Sequence, residues 1–208
     1  ISANLRGANL KGAKLMTADM TDADLRPAQI VDMNRTIEQV SNLSKADMTD
    51  AKIVGTDLTG ANMAGVTACG AQFQGANLTN VNLNRAGLSN STFVGTNLRG
   101  SNLHGVNFSN AVLTDTDLSG SDMRSCNFDG CDMSGADLTD CIIASGLAKL
   151  DPDLQSLITA HFIWISSAGK KGTRADLTGM DLSGADLSGA DLSAVDFTGA
   201  DLTGASLK

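Results

Sequence analysis

The sequence predicts an all-β solenoid in which each side of the coil is a pentapeptide, with two short helical insertions. Three observations carry that expectation. A large apolar residue returns every five positions along most of the chain. It is preceded by a small residue and then by Asp or Asn. The period breaks twice, near 27–45 and near 144–174. A period of five matches neither the 3.6 of a helix nor the 2.0 of a flat strand, so the chain must turn a corner within each unit.

Taken in order, the opening reads Ala3-Asn4-Leu5, Ala8-Asn9-Leu10, Ala13-Lys14-Leu15, Ala18-Asp19-Met20 and Ala23-Asp24-Leu25. The apolar centre falls at multiples of five up to Ile30 and then shifts register before Met48. Within that break Pro27 is followed by Ile30, Met33, Ile37, Val40 and Leu43, the three-to-four spacing of an amphipathic helix with Pro near its first turn. This predicts a helix over 27–43. From Met48 to Ile143 the centre again recurs every five residues, with Ala68 its one small member. Gly often stands two residues after the centre, as at Gly60, Gly100 and Gly120, where the chain needs a turn. In the second break Asp151-Pro152 reads as an N-cap followed by Pro, Leu154, Leu157, Ile158 and Ile165 mark an apolar face, and Gly169 supplies a stop. The close runs from Ala185-Asp186-Leu187 to Ala205-Ser206-Leu207 in full period.

This repeat resembles the pentapeptide-repeat family, whose pattern is A-(D/N)-L-x-x. The resemblance implies a right-handed quadrilateral parallel β-helix with four pentapeptides per coil, the centre and the preceding small residue pointing inward. Residues twenty apart should then stack, and like does fall on like. Phe73 pairs with Phe93, Phe108 with Phe128, and Leu58, Leu78, Leu98, Leu118 and Leu138 form one column. Three segments follow: a β-helix over 1–143 interrupted near 27–45, a helical insertion over 144–174, and further coils over 175–208. The stretch from His161 and Trp164 to Arg174-Ala175-Asp176-Leu177 is also similar to a lead-in that precedes the first repeat in some bacterial members. The repeat runs without a cap to Lys208, and solenoid ends need covering, so a protein partner or a second copy is expected on these coils.

Charge narrows the partner. Residues 1–110 carry nine Lys/Arg against eight Asp/Glu, whereas residues 111–208 carry six against fifteen. A backbone-neutralising nucleic-acid binder needs the opposite sign, so direct DNA or RNA binding is disfavoured. Membrane insertion is disfavoured too, since no apolar run approaches the roughly 20 residues of a spanning helix. The chain opens at Ile1 with no visible secretory signal. Cys126, Cys131 and Cys141 share the small inward position and Cys69 does not. That is not a disulfide framework, and a reducing cytoplasm is the expected setting.

The search for chemistry returns ordinary structural readings. His104 reads as a solvated surface histidine, and His161, one turn before Trp164, as part of a packed helix. The cysteines lack a partner His for zinc. Gly169-Lys170-Lys171-Gly172-Thr173 lacks the leading glycine and preceding strand of a phosphate loop. Sequons such as Asn77-Leu78-Thr79 are by-products of the repeat. No cofactor, metal or catalytic residue is therefore expected. The favoured function is a noncatalytic interaction or scaffold protein, a subunit or accessory of a larger assembly, with the helical insertions as its contact elements. Candidate contact residues are His161, Trp164, Asp176, Asp181, Asp186, Asp191, Asp196 and Asp201. The alternative comes from the resemblance: some members, the quinolone-resistance proteins, are acidic rods that mimic DNA and bind DNA gyrase.

Overall fold

The computed structural model describes residues 2–32, 35–144, 147, 150–166, 169 and 172–207. The chain forms two compact units, Ile1–Cys141 and Ile142–Lys208.

In the first unit the backbone pairs in parallel with itself one coil later. Asn62 bridges Asn42 and Asn82, Asn77 bridges Asp57 and Asn97, and the series continues to Asp117 with Asp137. Twenty residues therefore make one coil, which is four pentapeptides. The accounting of backbone donors explains why five residues suffice for a side. Over Leu58 to Asn62, three N–H groups donate between coils, from Leu58 to Asn77 O at 2.7 Å, from Gly60 to Thr79 O at 2.9 Å and from Asn62 to Ser41 O at 2.8 Å. Ala61 N–H closes the corner on Leu58 O at 2.9 Å. The fifth, on Thr59, finds the Asp57 carboxylate at 3.1 Å. Every donor of the unit is satisfied without a helix or a long strand.

Centres and small residues face inward. Leu58, Leu78, Leu98 and Leu118 are fully buried, as are Ala61, Ala71 and Ala76. Phe73 stacks on Phe93 with centroids 4.5 Å apart, Phe108 stacks on Phe128 at 5.5 Å, and Phe93 meets Phe108 edge-on at 5.6 Å. The column arithmetic of the sequence is thus the packing arithmetic of the core.

The first break is not helical. It is an antiparallel hairpin, β1 (Ala28–Asp32) and β2 (Arg35–Gln39), with Ile30 opposite Ile37 and Val31 opposite Thr36. Its length moves the coil partners from 20 to 33 residues apart, as in Asn9 with Asn42 and Lys14 with Asp47. The helical spacing misled because it joined residues of two structures. Ile30 and Ile37 are cross-strand neighbours, while Leu43 is a fully buried centre of the solenoid. Ile30 is not a centre, being 39% exposed, and Met33 lies outside the described residues. The β-branched residues Ile30, Val31, Thr36 and Ile37 favour strand.

The second unit begins with α1 (Pro152–Ser166), capped where Leu154 N–H donates to Asp151 Oδ1 at 3.0 Å. At its far end Gly169, with φ of 81°, donates to Trp164 O at 2.8 Å. Coils follow, with Asp176 bridging Asp196, Asp181 bridging Asp201 and Asp186 bridging Ser206. Ala175, Leu177, Leu182 and Leu187 are buried, but Leu192, Phe197 and Leu202 are only partly so.

Candidate interaction surface

Where Asn or Asp stands before a centre, its side chain is a built-in turn acceptor. Asn42, Asn62 and Asn82 each accept the N–H two residues on through Oδ1, at 3.0, 3.2 and 3.1 Å. Asp176, Asp191 and Asp201 do the same at 3.0, 2.9 and 2.9 Å. Asn and Asp supply that oxygen equally, and the coil also accommodates Lys52, Thr67, Gly87 and Val112 at the same position.

All six candidate aspartates of the second unit occupy this position. Asp176, Asp181, Asp191 and Asp201 are exposed, and Asp186 and Asp196 half-exposed. The stacking of Asp176 on Asp196 and of Asp181 on Asp201 sets like charges one strand spacing apart. The sequence suggests that this repulsion makes the acidic coils, in isolation, the weakest part of the chain. The Asp176, Asp181, Asp191, Asp196 and Asp201 carboxyls all lie below the ordinary aspartate value, held there first by the hydroxyl and then by the N–H of the Ser or Thr two residues on. The neighbouring carboxylate pushes Asp176 and Asp201 the other way, but less. Local hydrogen bonding outweighs the repulsion.

His161 and Trp164 share α1, and their rings stack with centroids 5.7 Å apart. His161 is fully enclosed and its Nδ1 accepts the Ala175 N–H at 3.1 Å. Ile158 and Leu154 are buried with it, whereas Leu157 and Trp164 are half-buried, so the apolar face of α1 runs through Leu154, Ile158 and His161. Sequence spacing put Leu157 and Ile165 on the apolar face, where both are only half-buried, and the reading of His161 as part of a packed helix agrees with its enclosed ring.

Sequence reasoning named the first insertion as a contact element but read it as a helix rather than a hairpin. Ile30, Val31, Ile37 and Val40 are 39%, 77%, 43% and 45% exposed, a run of apolar side chains outside the core. The available signal was the pair of β-branched doublets at 30–31 and 36–37. His104 is half-buried rather than solvated, and its Nδ1 is enclosed.

Other chemistry is sparse. Burial pushes the Cys126 and Cys131 thiols up to about 12 and Cys141 up to about 11, far from reactive thiolates. Among the described residues no three His, Cys, Asp or Glu side chains converge as a metal set, and no helix is long and apolar enough to cross a membrane. A groove of about 290 Å³ in the first unit lies beside Asn80, Arg99, Gly100, Gly120 and Asp137. Arg99 reaches Ser119 Oγ at 3.5 Å and helps to hold the Asp137 carboxyl low, after the Thr139 hydroxyl and N–H.

Comparison with known proteins bears on these repeats. The family model "Pentapeptide repeats (8 copies)" matches residues 1–29, 41–65, 70–105, 101–140 and 173–208. Among solved structures, a pentapeptide repeat protein of the Arabidopsis thaliana thylakoid lumen is 30% identical, covering 55% of this chain and 67% of its own, with a TM-score of 0.38. Rfr23 from the cyanobacterium Cyanothece 51142 is 21% identical over 67% of this chain and 90% of its own, with a TM-score of 0.36. HetL from Nostoc sp. strain PCC 7120, a protein involved in heterocyst differentiation regulation, is 23% identical over 99% and 87%, with a TM-score of 0.32. No curated protein matches the chain.

Proposed function

This chain belongs to the pentapeptide-repeat family, and we propose that it is a noncatalytic interaction scaffold whose coils from Asp176 to Asp201 receive a cationic protein surface. One observation carries the reading. The turn favours an Oδ1 acceptor before the centre, and the first unit often meets that preference with uncharged Asn, as at Asn62, Asn82 and Asn102. The second unit meets it with Asp six times between 176 and 201. The negative charge exceeds what the turns require, and such a field steers and orients a partner of opposite sign. Right-handed coiling is part of the same reading, and the free thiols suit a reducing cytoplasm.

The second reading, a DNA mimic that binds gyrase, draws on carboxylates stacked one strand spacing apart in both units, Asp117 on Asp137 as well as Asp181 on Asp201. One capture experiment separates the two. Wild-type protein and the D181N/D191N/D201N variant are used as bait against a native-host extract, and the retained partner is eluted with rising salt. The scaffold reading expects a stoichiometric basic partner, salt-sensitive and weakly held by the variant. Gyrase subunits behaving this way would favour the mimic. A partner held equally by both baits at every salt concentration would remove the acidic coils from the interface.

A further inference from the structure

The side chain that joins α1 to the coils is titratable. His161 is enclosed on all sides, and its Nδ1 accepts from the Ala175 N–H at 3.1 Å. That bond requires Nδ1 to be the unprotonated nitrogen. The proton then resides on Nε2, which is buried without a hydrogen-bond acceptor. One ring face stacks with Trp164. Nearby the segment at 172–175 is held by Thr173 N–H on Ala160 O at 3.2 Å, and Gly172, with φ of 68°, lies so close to Ala160 O and the Trp164 backbone nitrogen that no side chain fits there. Ala175 is itself fully buried as the first inward small residue of these coils.

We infer that His161 is a proton-operated latch, which fastens α1 to the first coil of the second unit when neutral and releases it when protonated. A second proton must enter at Nδ1, where it would face the Ala175 N–H, so the bond that fastens α1 breaks. The resulting imidazolium would carry two donors inside an enclosed site with no acceptor for Nε2, an expensive arrangement that opening to water relieves. Of the surrounding charges, Asp191 favours the imidazolium, and weakly. On α1 the described ionisable residue besides His161 is Asp153, at the opposite end in the first turn. On the connecting segment it is Arg174, whose charge acts on Asp176 and Asp196. From the coils it is Asp191, whose Oδ1 is engaged by Ser193 N–H at 2.9 Å. The influence of His161 on Asp191 is the smallest of those acting on that carboxyl. Opening exposes Ala175 next to Asp176, so the latch sits at the edge of the acidic coils.

The test uses the whole chain. Hydrogen exchange is followed on the peptides spanning α1 and Ala175 at about pH 7.5 and about pH 5.5, across the range in which histidine changes charge, with the chemical exchange rate corrected for pH. Uptake of one proton on opening predicts protection falling by up to about tenfold per pH unit at these peptides, while peptides around Phe73 to Phe108 stay unchanged. His161→Asn keeps an acceptor oxygen for the Ala175 N–H but cannot titrate, and should make protection there independent of pH. Unchanged wild-type protection, or an equal loss in H161N, would overturn the latch. Should H161N not fold, histidine-ring NMR of the wild type decides. A His161 ring that titrates together with the Ala175 amide shift supports the latch, and one that does not titrate while the first unit stays folded refutes it.

Discussion

The two units build the same turn from different residues. In the first, the residue two after the centre is either Gly or a side chain held at positive φ, such as Asp50 (55°), Asn80 (56°) and Asp115 (54°). These side chains lie over a glycine one coil on: Asp50 over Gly70, Asn80 over Gly100, Asp115 over Gly135. In the second unit Gly179, Gly184, Gly189, Gly199 and Gly204 take that place, with Ala194 the exception. The first unit also mixes Asn and Asp before its centres, and its salt bridges join Lys14 to Asp47, Arg26 to Asp24 and Asp57, and Arg124 to Asp122. The second uses Asp from 176 to 201. The coil thus demands an inward apolar residue and an inward small residue, favours an acceptor oxygen before the centre, and leaves the sign of charge there open, as Lys14 and Lys52 show. One unit fixes that open choice six times over, which is the observation behind the proposed cationic partner.

The largest expected effect contrasts the cores. Leu98→Ala removes a fully buried side chain and should cost about 2–5 kcal/mol. Leu202→Ala, at a half-buried centre, should cost markedly less. Denaturant midpoints of both variants check this, and equal shifts would mean the two cores are packed alike.

Next come the corners. Gly135→Ala and Gly184→Ala both force alanine into left-handed backbone, φ of 72° and 68°, a strain of about 1–2 kcal/mol. At Gly135 the added Cβ also meets the Asp115 carboxylate, whereas at Gly184 nothing lies within 4 Å. Gly135→Ala should therefore be the more destabilising in thermal unfolding, and Asp115→Gly should recover the difference.

Acid should affect both units by different partners. Asp24 is held down to about 2, chiefly by the Arg26 side chain that donates to it at 2.8 and 2.9 Å. A depressed carboxyl contributes stability that is present above its ordinary value and lost as pH falls through the folded one. For Asp24 that window runs from 3.8 down to about 2. The contribution is modest because the pair is exposed to solvent. In the second unit Asp181 and Asp201 lose their contribution on the same acid side, through hydroxyl and N–H donors rather than a guanidinium. Added salt should therefore weaken the acid sensitivity of the first unit more than that of the second, as hydrogen exchange against pH at two ionic strengths can read.

Much of the fold was legible in the sequence, because a strict period fixes which residues stack. Phe73 on Phe93 needed only the number twenty. The hairpin was not legible for a related reason. Ile30 stands on a multiple of five and on a helical spacing with Ile37 and Val40, so two false periods hid a two-stranded excursion that breaks the true one. The aspartates were legible as positions but not as energies, since the oxygen that sets their titration is bonded to their own turn and leaves repulsion secondary. His161 was illegible as a contact. Its partner is a backbone N–H fourteen residues later, and a backbone donor leaves no mark in a sequence.

The central claim, that the acidic coils need the oxygen and not the charge, is tested most directly by one pair of variants. D181N/D191N/D201N keeps every Oδ1 acceptor, and D181A/D191A/D201A removes them. Thermal unfolding at low salt, read by hydrogen exchange over 175–207, should place the Asn variant at or slightly above the wild type, because the stacked Asp181 and Asp201 charges are gone. The Ala variant should melt clearly below both. An Asn variant that falls as far as the Ala variant would show the charge to be structural and would contradict the account.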